Sequence, residues 1–188
     1  MDITSTGKYN GKFLRPNSAK PIVGHATITA FQTNLTQAKA GAELVAGQPV
    51  AVSTQASGTQ AGSGLNPNVF VANAITDSIS GFAIESDNFA VVDGAESSKA
   101  LKGSIINVAL LGSGVEVFLP CKSSEFQNFV VGTPIFWSKT NGELTKTEDT
   151  SKSTTIALNV AVLSNPVDSI KADLDGTFKS CQAIKVKL

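Results

Sequence analysis

The chain has 188 residues, enough for one large β domain or two small lobes with a buried core. Fifteen Lys and Arg balance fifteen Asp and Glu, and charged residues make up only 16% of the chain. Nucleic-acid binding is not expected, because phosphate contacts need clustered basic residues and Arg15 is the single arginine. The sequence contains no apolar run of about 18 residues and no signal-peptide core near its first residue. We therefore expect neither a membrane span nor Sec-dependent secretion.

Residues 1–25 predict an extended N-terminal arm. This segment contains three glycines and two prolines but few large apolar side chains, so it has no core of its own. Two interpretations stay open: a loose terminus, or an arm that becomes ordered against a neighbouring subunit.

After the arm, β-branched and alternating patterns predict short strands separated by turn residues every 8–12 positions. Residues 35–45 are the one stretch with a helix-friendly composition, and Gly41 interrupts it. The pattern is typical of an all-β protein, a sandwich or barrel of short antiparallel strands. The predicted strands are His25–Phe31, Pro49–Ser53, Val69–Ala72, Ser80–Ile84, Phe89–Val92, Ile105–Leu111, Val115–Leu119, Ile135–Ser138, Glu143–Lys146, Ile156–Leu163, Gly176–Cys181 and Ala183–Leu188.

Three connections between these strands are informative. Gly112-Ser113-Gly114 predicts a tight hairpin, and Thr140-Asn141-Gly142 carries the Asn-Gly pair that most strongly indicates one. Ser53–Asn68 is rich in Ser, Gly, Thr and Gln, which predicts a long polar loop.

A degenerate repeat organises the strands into two related β units. Val45–Ser53 is similar to Val130–Ser138, since both contain Gly, any residue, Pro, an apolar alternation and Ser. Two further pairs of segments match in the same order along the chain. Gly81–Ser86 is similar to Asn159–Ser164, and Val115–Leu119 is similar to Ile184–Leu188. The repeat predicts a first β lobe over residues 26–125 and a smaller second lobe over 126–188. A single irregular sandwich is the alternative.

The sequence offers little for catalysis or metal binding. His25 is the only histidine, and nothing around it supplies the other members of a triad or a zinc site. The Asp173–Gly176 segment is read as a turn, because a calcium loop needs further acidic ligands. Cys121 and Cys181 are more typical of buried thiols than of a disulfide in an intracellular chain. We predict no catalytic, cofactor-binding or metal-binding residues, and hence not an enzyme.

The aromatic residues point to packing. Trp137, the single tryptophan, is expected in the core, although tryptophan is also common at interfaces. Phe126 and Phe129 lie at the predicted lobe junction and are expected to pack the two halves together.

Over residues 42–188 the layout resembles the capsid decoration (cement) proteins of tailed bacteriophages. Ala46–Val52 and Gly132–Phe136 look like the family's Gly-x-Pro strand, while Val160–Val162 and Ala183–Leu188 are similar to its later strands. The resemblance implies a protein made in the host cytoplasm that binds the capsid exterior of the virion. It further implies the major capsid protein as partner, self-association as a trimer or dimer, and an arm that orders on the coat.

A carbohydrate- or surface-binding β module, like an adhesin or a fibre, is the alternative function. Its site would be the polar loop Ser53–Asn68. Few aromatic residues are available for stacking on sugars, which favours the first hypothesis.

Overall fold

The computed structural model describes residues 20–24, 26–27, 35–52, 68–72, 78–84, 99–127, 129–130, 132–151, 154–175 and 177–188. Within them the chain forms fifteen strands and one short helix, which confirms the all-β fold class. The strands are β1 (Ala26–Thr27), β2 (Leu35–Ala40), β3 (Leu44–Val45), β4 (Pro49–Val52), β5 (Asn68–Val71), β6 (Gly81–Ile84), β7 (Lys99–Ala100), β8 (Ile105–Leu110), β9 (Glu116–Pro120), β10 (Ile135–Ser138), β11 (Glu143–Thr145), β12 (Thr155–Leu158), β13 (Ala161–Val162), β14 (Val167–Ala172) and β15 (Phe178–Lys187); the helix is α1 (Ser123–Phe126). No helix of this part of the chain is long and apolar enough to cross a membrane.

Five strands close into a small barrel in the order β2, β5, β4, β6, β8. Small and branched side chains fill it, among them Ala38, Val50, Val69 and Val108. The strands approach closely at Gly81, where an added Cβ would lie 2.3 Å from the carbonyl oxygen of Ala109. The pairing within the barrel is antiparallel, as predicted, except between β2 and β5, which run parallel.

The helix-friendly stretch 35–45 forms strands. Ala38 and Ala40 of β2 are buried while Gln37 and Lys39 are exposed, which is the period-two pattern of a strand with one face on a core. Five residues of β2 pair with β8. Tertiary pairing therefore overrides the local helix propensity of Ala, Gln and Lys.

A second sheet contains β1, β9, β15 and β13, with β14 also on β15. Residues 20–24, the described end of the predicted arm, link strands β14 and β9 of this sheet. The Val23 N–H donates to the Ile170 oxygen of β14 (2.9 Å), and the Gly24 N–H donates to the Phe118 oxygen of β9 (2.8 Å). Val23 is buried, so the chain enters the body of the fold before residue 25. Residues 1–19 and His25 lie outside the described residues.

A third, three-stranded sheet has the order β11, β10, β12. Its β10–β11 hairpin pairs Ser138 with Glu143 around the Asn141-Gly142 turn, which confirms that hairpin. Gly142 takes a φ of +62°, the left-handed conformation that favours glycine here.

The predicted hairpin at 112–114 is wrong. The glycines do make a turn, in which the Ser113 N–H donates to the Leu110 oxygen (3.1 Å). However, β8 pairs with β2 and β6, whereas β9 pairs with β1 and β15. Both edges of β8 are already occupied within the barrel, so the turn carries the chain into the second sheet instead.

Strand boundaries in the last third of the chain also differ from the prediction. The expected strand Ile156–Leu163 is divided between β12, on the third sheet, and β13, on the second. The two expected strands after residue 176 form one ten-residue strand, β15, because Gln182 continues the pairing opposite Asp168 of β14. Strand β14 and helix α1 were not predicted. The predicted strand Phe89–Val92 and residues 53–67 of the predicted polar loop lie outside the described residues.

One apolar cluster extends across the predicted lobe boundary. It joins Phe82 and Ile84 of the barrel to Trp137 and Ile184 of the second half. The Phe82 and Trp137 rings meet edge to face with centroids 5.2 Å apart, and Trp137 is only 3% exposed, which confirms its place in the core. The Phe126 and Phe129 rings stack on each other with centroids 6.4 Å apart, and both side chains pack in this cluster. Division into two lobes is therefore not confirmed.

Candidate functional site

The Asp173–Asp175 turn uses its carboxylates internally. Asp173 accepts from the Lys179 ammonium and from the Leu174 N–H, which lower the pKa of its carboxyl group. Asp175 accepts from the hydroxyl group and the N–H of Thr177 (2.6 and 2.8 Å), and the pKa of its carboxyl group is likewise lowered. Across the described residues, no three His, Cys, Asp or Glu side chains are grouped so as to hold a metal ion. The segment has the geometry of a turn.

The two cysteines are free thiols. Cys121 directly follows β9, and its N–H donates to the Gln182 oxygen across the sheet (2.9 Å). Burial raises the pKa of the Cys121 thiol to about 12, with a further contribution from Glu143, and burial also raises the pKa of the Cys181 thiol. A thiol with a raised pKa is a poor nucleophile, since the thiolate is the reactive form.

The arm joins the body at a junction of two glycines. Gly24 and Gly47 have φ values of +82° and +81°. A Cβ on Gly24 would lie 2.4 Å from the Gly47 nitrogen, and a Cβ on Gly47 would lie 2.3 Å from Cγ1 of Val23. Only glycine fits at both positions, so this junction fixes how residues 20–24 pack against the turn before β4.

The two Gly-x-Pro segments of the sequence repeat form the same local turn. In the first, the Gln48 N–H donates to the Val45 oxygen (3.3 Å); in the second, the Thr133 N–H donates to the Val130 oxygen (3.2 Å). The glycine at the third turn position has φ of +81° in one and +88° in the other. Each turn leads through proline into a strand, β4 or β10. The repeat therefore describes a real local structure.

The closing strands of the repeat pair with each other. Strands β9 and β15 are antiparallel, with Val117 directly opposite Val186. These two valines are also equivalent in the sequence alignment of the closing segments. A local two-fold axis consequently passes between them. The middle segments do not follow this symmetry, because β6 pairs with β4 and β8, whereas β13 pairs with β15.

Two charged side chains that the sequence does not single out have well-defined surroundings. Glu125 of α1 accepts hydrogen bonds from three consecutive residues at the end of β11: Thr145, Lys146 and Thr147. Lys139, which follows β10, has a buried ammonium group. No motif marks either residue, since isolated Glu and Lys next to turns usually face solvent.

Three large apolar side chains of the described residues are exposed: Val130 at 66%, Leu163 at 45% and Leu174 at 40%. Val130 lies in the second Gly-x-Pro turn, Leu163 follows β13, and Leu174 is in the acidic turn. Exposed apolar residues that occur singly are normal on protein surfaces, so these three do not by themselves define an interface.

No protein-family model matches the chain, and no curated protein matches it either.

Proposed function

We propose that this chain is a non-enzymatic structural protein of a bacteriophage virion that decorates the capsid and stabilises it by binding neighbouring coat subunits. In this proposal the partner is the major capsid protein, the location is the capsid exterior, and the chain self-associates as a dimer or trimer. A ligand that binds the assembled shell more tightly than free coat subunits stabilises the shell by mass action.

The two equivalent Gly-x-Pro turns carry the proposal. They are the segments on which the resemblance to decoration proteins depends. Both have a left-handed glycine, the same hydrogen bond across the turn and a following strand. The likeness between the two turns of this chain thus extends from the residue pattern to the backbone.

The attachment point of the arm is consistent with this role. Lys20, the first described residue, is exposed and lies 3.8 Å from Asp168 on β14. From there the chain runs into the Gly24–Gly47 junction, so the arm is anchored to a well-packed body. A segment that becomes ordered only on a partner gains affinity from such an anchor, because the anchored end loses no further freedom on binding.

The proposal is tested with heads assembled without this chain. Purified full-length chain is mixed with these heads or with unassembled coat protein, and bound chain is measured after sedimentation. We expect saturable binding to heads, little binding to free coat protein, and a higher temperature of head disruption when the chain is bound.

A variant lacking residues 1–19 examines the arm. It retains Val23 and Gly24, and with them the junction, so its folding is checked by its unfolding transition. We expect weaker binding to heads than for the full chain. Heads that never bind the full-length chain, or that bind it without any gain in heat stability, would contradict the proposed function.

A further inference from the structure

A cavity of about 170 Å³ lies between the arm, the barrel and the second half of the chain. Its walls include Val23, the turn before β4, the β10–β11 hairpin and the end of β14. An apolar cavity of about 150 Å³ in another protein is large enough for benzene, so this one has room for a small organic molecule or the end of a side chain.

The Lys139 ammonium group is the unusual feature of this cavity. Lys139 lines the wall, and its Nζ is buried without a hydrogen-bond partner in the described part of the chain. Its backbone is held in place, since its N–H donates to the Thr154 oxygen (2.8 Å). A buried ammonium group without a partner destabilises a fold, so an outside group that pairs with it would bind favourably.

The other polar groups of the wall add to the positive character. Lys171 also lines the cavity. The acidic wall residue Asp173 is paired with the Lys179 ammonium group. Gln48 already accepts the Val45 N–H on its side-chain oxygen (2.9 Å), which leaves its NH₂ group as a donor. The balance of these groups favours a ligand that accepts hydrogen bonds and carries negative charge.

Nearby acidic residues do not replace such a ligand. Glu143 interacts electrostatically with Lys171, yet it lies outside the cavity wall. Asp173 has its carboxylate occupied by Lys179 and the Leu174 N–H. Neither carboxylate is within hydrogen-bond distance of the Lys139 ammonium group.

We propose that this cavity binds a carboxylate, with Lys139 as its ion-pair partner and Lys171 as a second cationic wall group. The carboxylate belongs either to a small organic acid or to an acidic side chain of a protein. The proposal is independent of the capsid function, because it depends only on the cavity of the isolated chain.

Trp137 gives a direct readout. It is the only tryptophan, and it lines the same cavity. Its fluorescence is titrated with sodium acetate and with sodium succinate at constant ionic strength, with sodium chloride as the reference salt. We expect a saturable change with the carboxylates and none with chloride. A response equal to that of chloride would overturn the proposal.

Variants assign the binding to Lys139. Lys139→Met removes the charge and keeps an unbranched side chain of similar length, and we expect at least a 10-fold loss of affinity. Lys171→Met should lower the affinity about 3-fold. Lys102→Met, at an exposed turn position outside the cavity, is the matched control and should bind as the unmodified chain does. Equal affinities in all three variants would overturn the proposal.

Stability without ligand gives a second measurement. Lys139→Met should raise the melting temperature by about 4 °C, because it removes an unpaired buried charge. A lower melting temperature would show that Lys139 serves the fold and would count against the site. Competition by a short peptide with one Asp, against an Asn-containing control, would assign the carboxylate to a protein side chain; saturation by acetate without such competition would assign it to a free acid.

Discussion

The two Gly-x-Pro turns share a sequence pattern and a backbone conformation but differ in their surroundings. Around Gly47 the packing is so close that a Cβ would lie 2.3 Å from Val23, while a Cβ on Gly132 would have nothing within 4 Å. Both glycines have a φ above +80°, and both turns carry the same hydrogen bond. The motif thus determines the conformation of the turn, while residues elsewhere in the chain determine how tightly the turn is packed.

Different forces stabilise the strands that follow the two turns. Strand β4 lies in a closed barrel whose turn packs against the arm through backbone and methyl groups. Strand β10 is paired with β11, and the end of β11 is held by the Glu125 carboxylate. The first unit therefore depends on apolar close packing, which is insensitive to pH, whereas the second depends partly on an ionised group.

The largest expected difference in stability between the two turns is that between Gly47→Ala and Gly132→Ala. Gly47→Ala should lower the free energy of unfolding by about 3–4 kcal/mol, since a left-handed alanine costs about 1–2 kcal/mol and overpacking against Val23 about 1–3 kcal/mol. Gly132→Ala meets no neighbour, so it should cost only about 1 kcal/mol from its backbone conformation. Urea unfolding of both variants measures the two costs.

The double variant Val23→Ala/Gly47→Ala separates packing from backbone strain. Removing the Val23 Cγ methyl groups should recover part of the loss caused by Gly47→Ala, giving a coupling energy of about 1 kcal/mol or more. Val23→Ala together with Gly132→Ala should show additive losses. Equal costs for the two glycine variants, or additivity in both pairs, would remove the contrast between the turns.

In the two closing strands, unlike in the two turns, we expect equivalent substitutions to cause equal losses of stability. Val117 and Val186 face each other across β9 and β15, and both are fully buried. Val117→Ala and Val186→Ala should each lower the free energy of unfolding by about 2 kcal/mol, the usual cost of removing two buried methyl groups. Single-variant costs that differ by more than about 1 kcal/mol would show that the local two-fold relation does not extend to energetics.

Sequence reasoning succeeded where one residue type has one physical use. The strands predicted after Gly47 and Gly132 are β4 and β10, and Asn141-Gly142 forms the predicted hairpin turn. Which strands pair with each other was harder to predict. Gly112-Ser113-Gly114 looks like a hairpin, yet its flanking strands belong to different sheets, because the neighbours of β8 come from residues distant in sequence. Alanine-rich β2 likewise follows its barrel partners rather than its own propensity.

The charged groups with the most defined surroundings were not predictable. Three of the hydrogen-bond donors to Glu125, on Thr145, Lys146 and Thr147, lie about twenty residues later in the chain. Lys139 follows a strand in a turn sequence that normally exposes lysine, and only the assembled walls bury its ammonium group. In both cases the chemistry comes from contacts that no local pattern records.

The one expected effect that depends on pH is at Glu125. Desolvation opposes its ionisation, but hydrogen bonds from Lys122, Thr145, Lys146 and Thr147 outweigh desolvation and lower the pKa of its carboxyl group to about 2. Glu125→Gln should lower the free energy of unfolding at pH 7 by about 2 kcal/mol, the scale of hydrogen bonds to a charged group.

The sign of the pH dependence follows from the lowered pKa. An unfolded glutamate has a pKa near 4.5, so the contribution of ionised Glu125 is complete above about pH 5 and decreases as the pH falls from 4.5 to about 2. The stability difference between the unmodified chain and Glu125→Gln should therefore shrink over this interval. Glu43→Gln is the control at pH 7: Glu43 pairs with Lys99 at 3.0 Å but is about half exposed, so it should cost less than about 1 kcal/mol. If the stability difference between the unmodified chain and Glu125→Gln stayed constant down to pH 2, the second turn, like the first, would be held by packing alone.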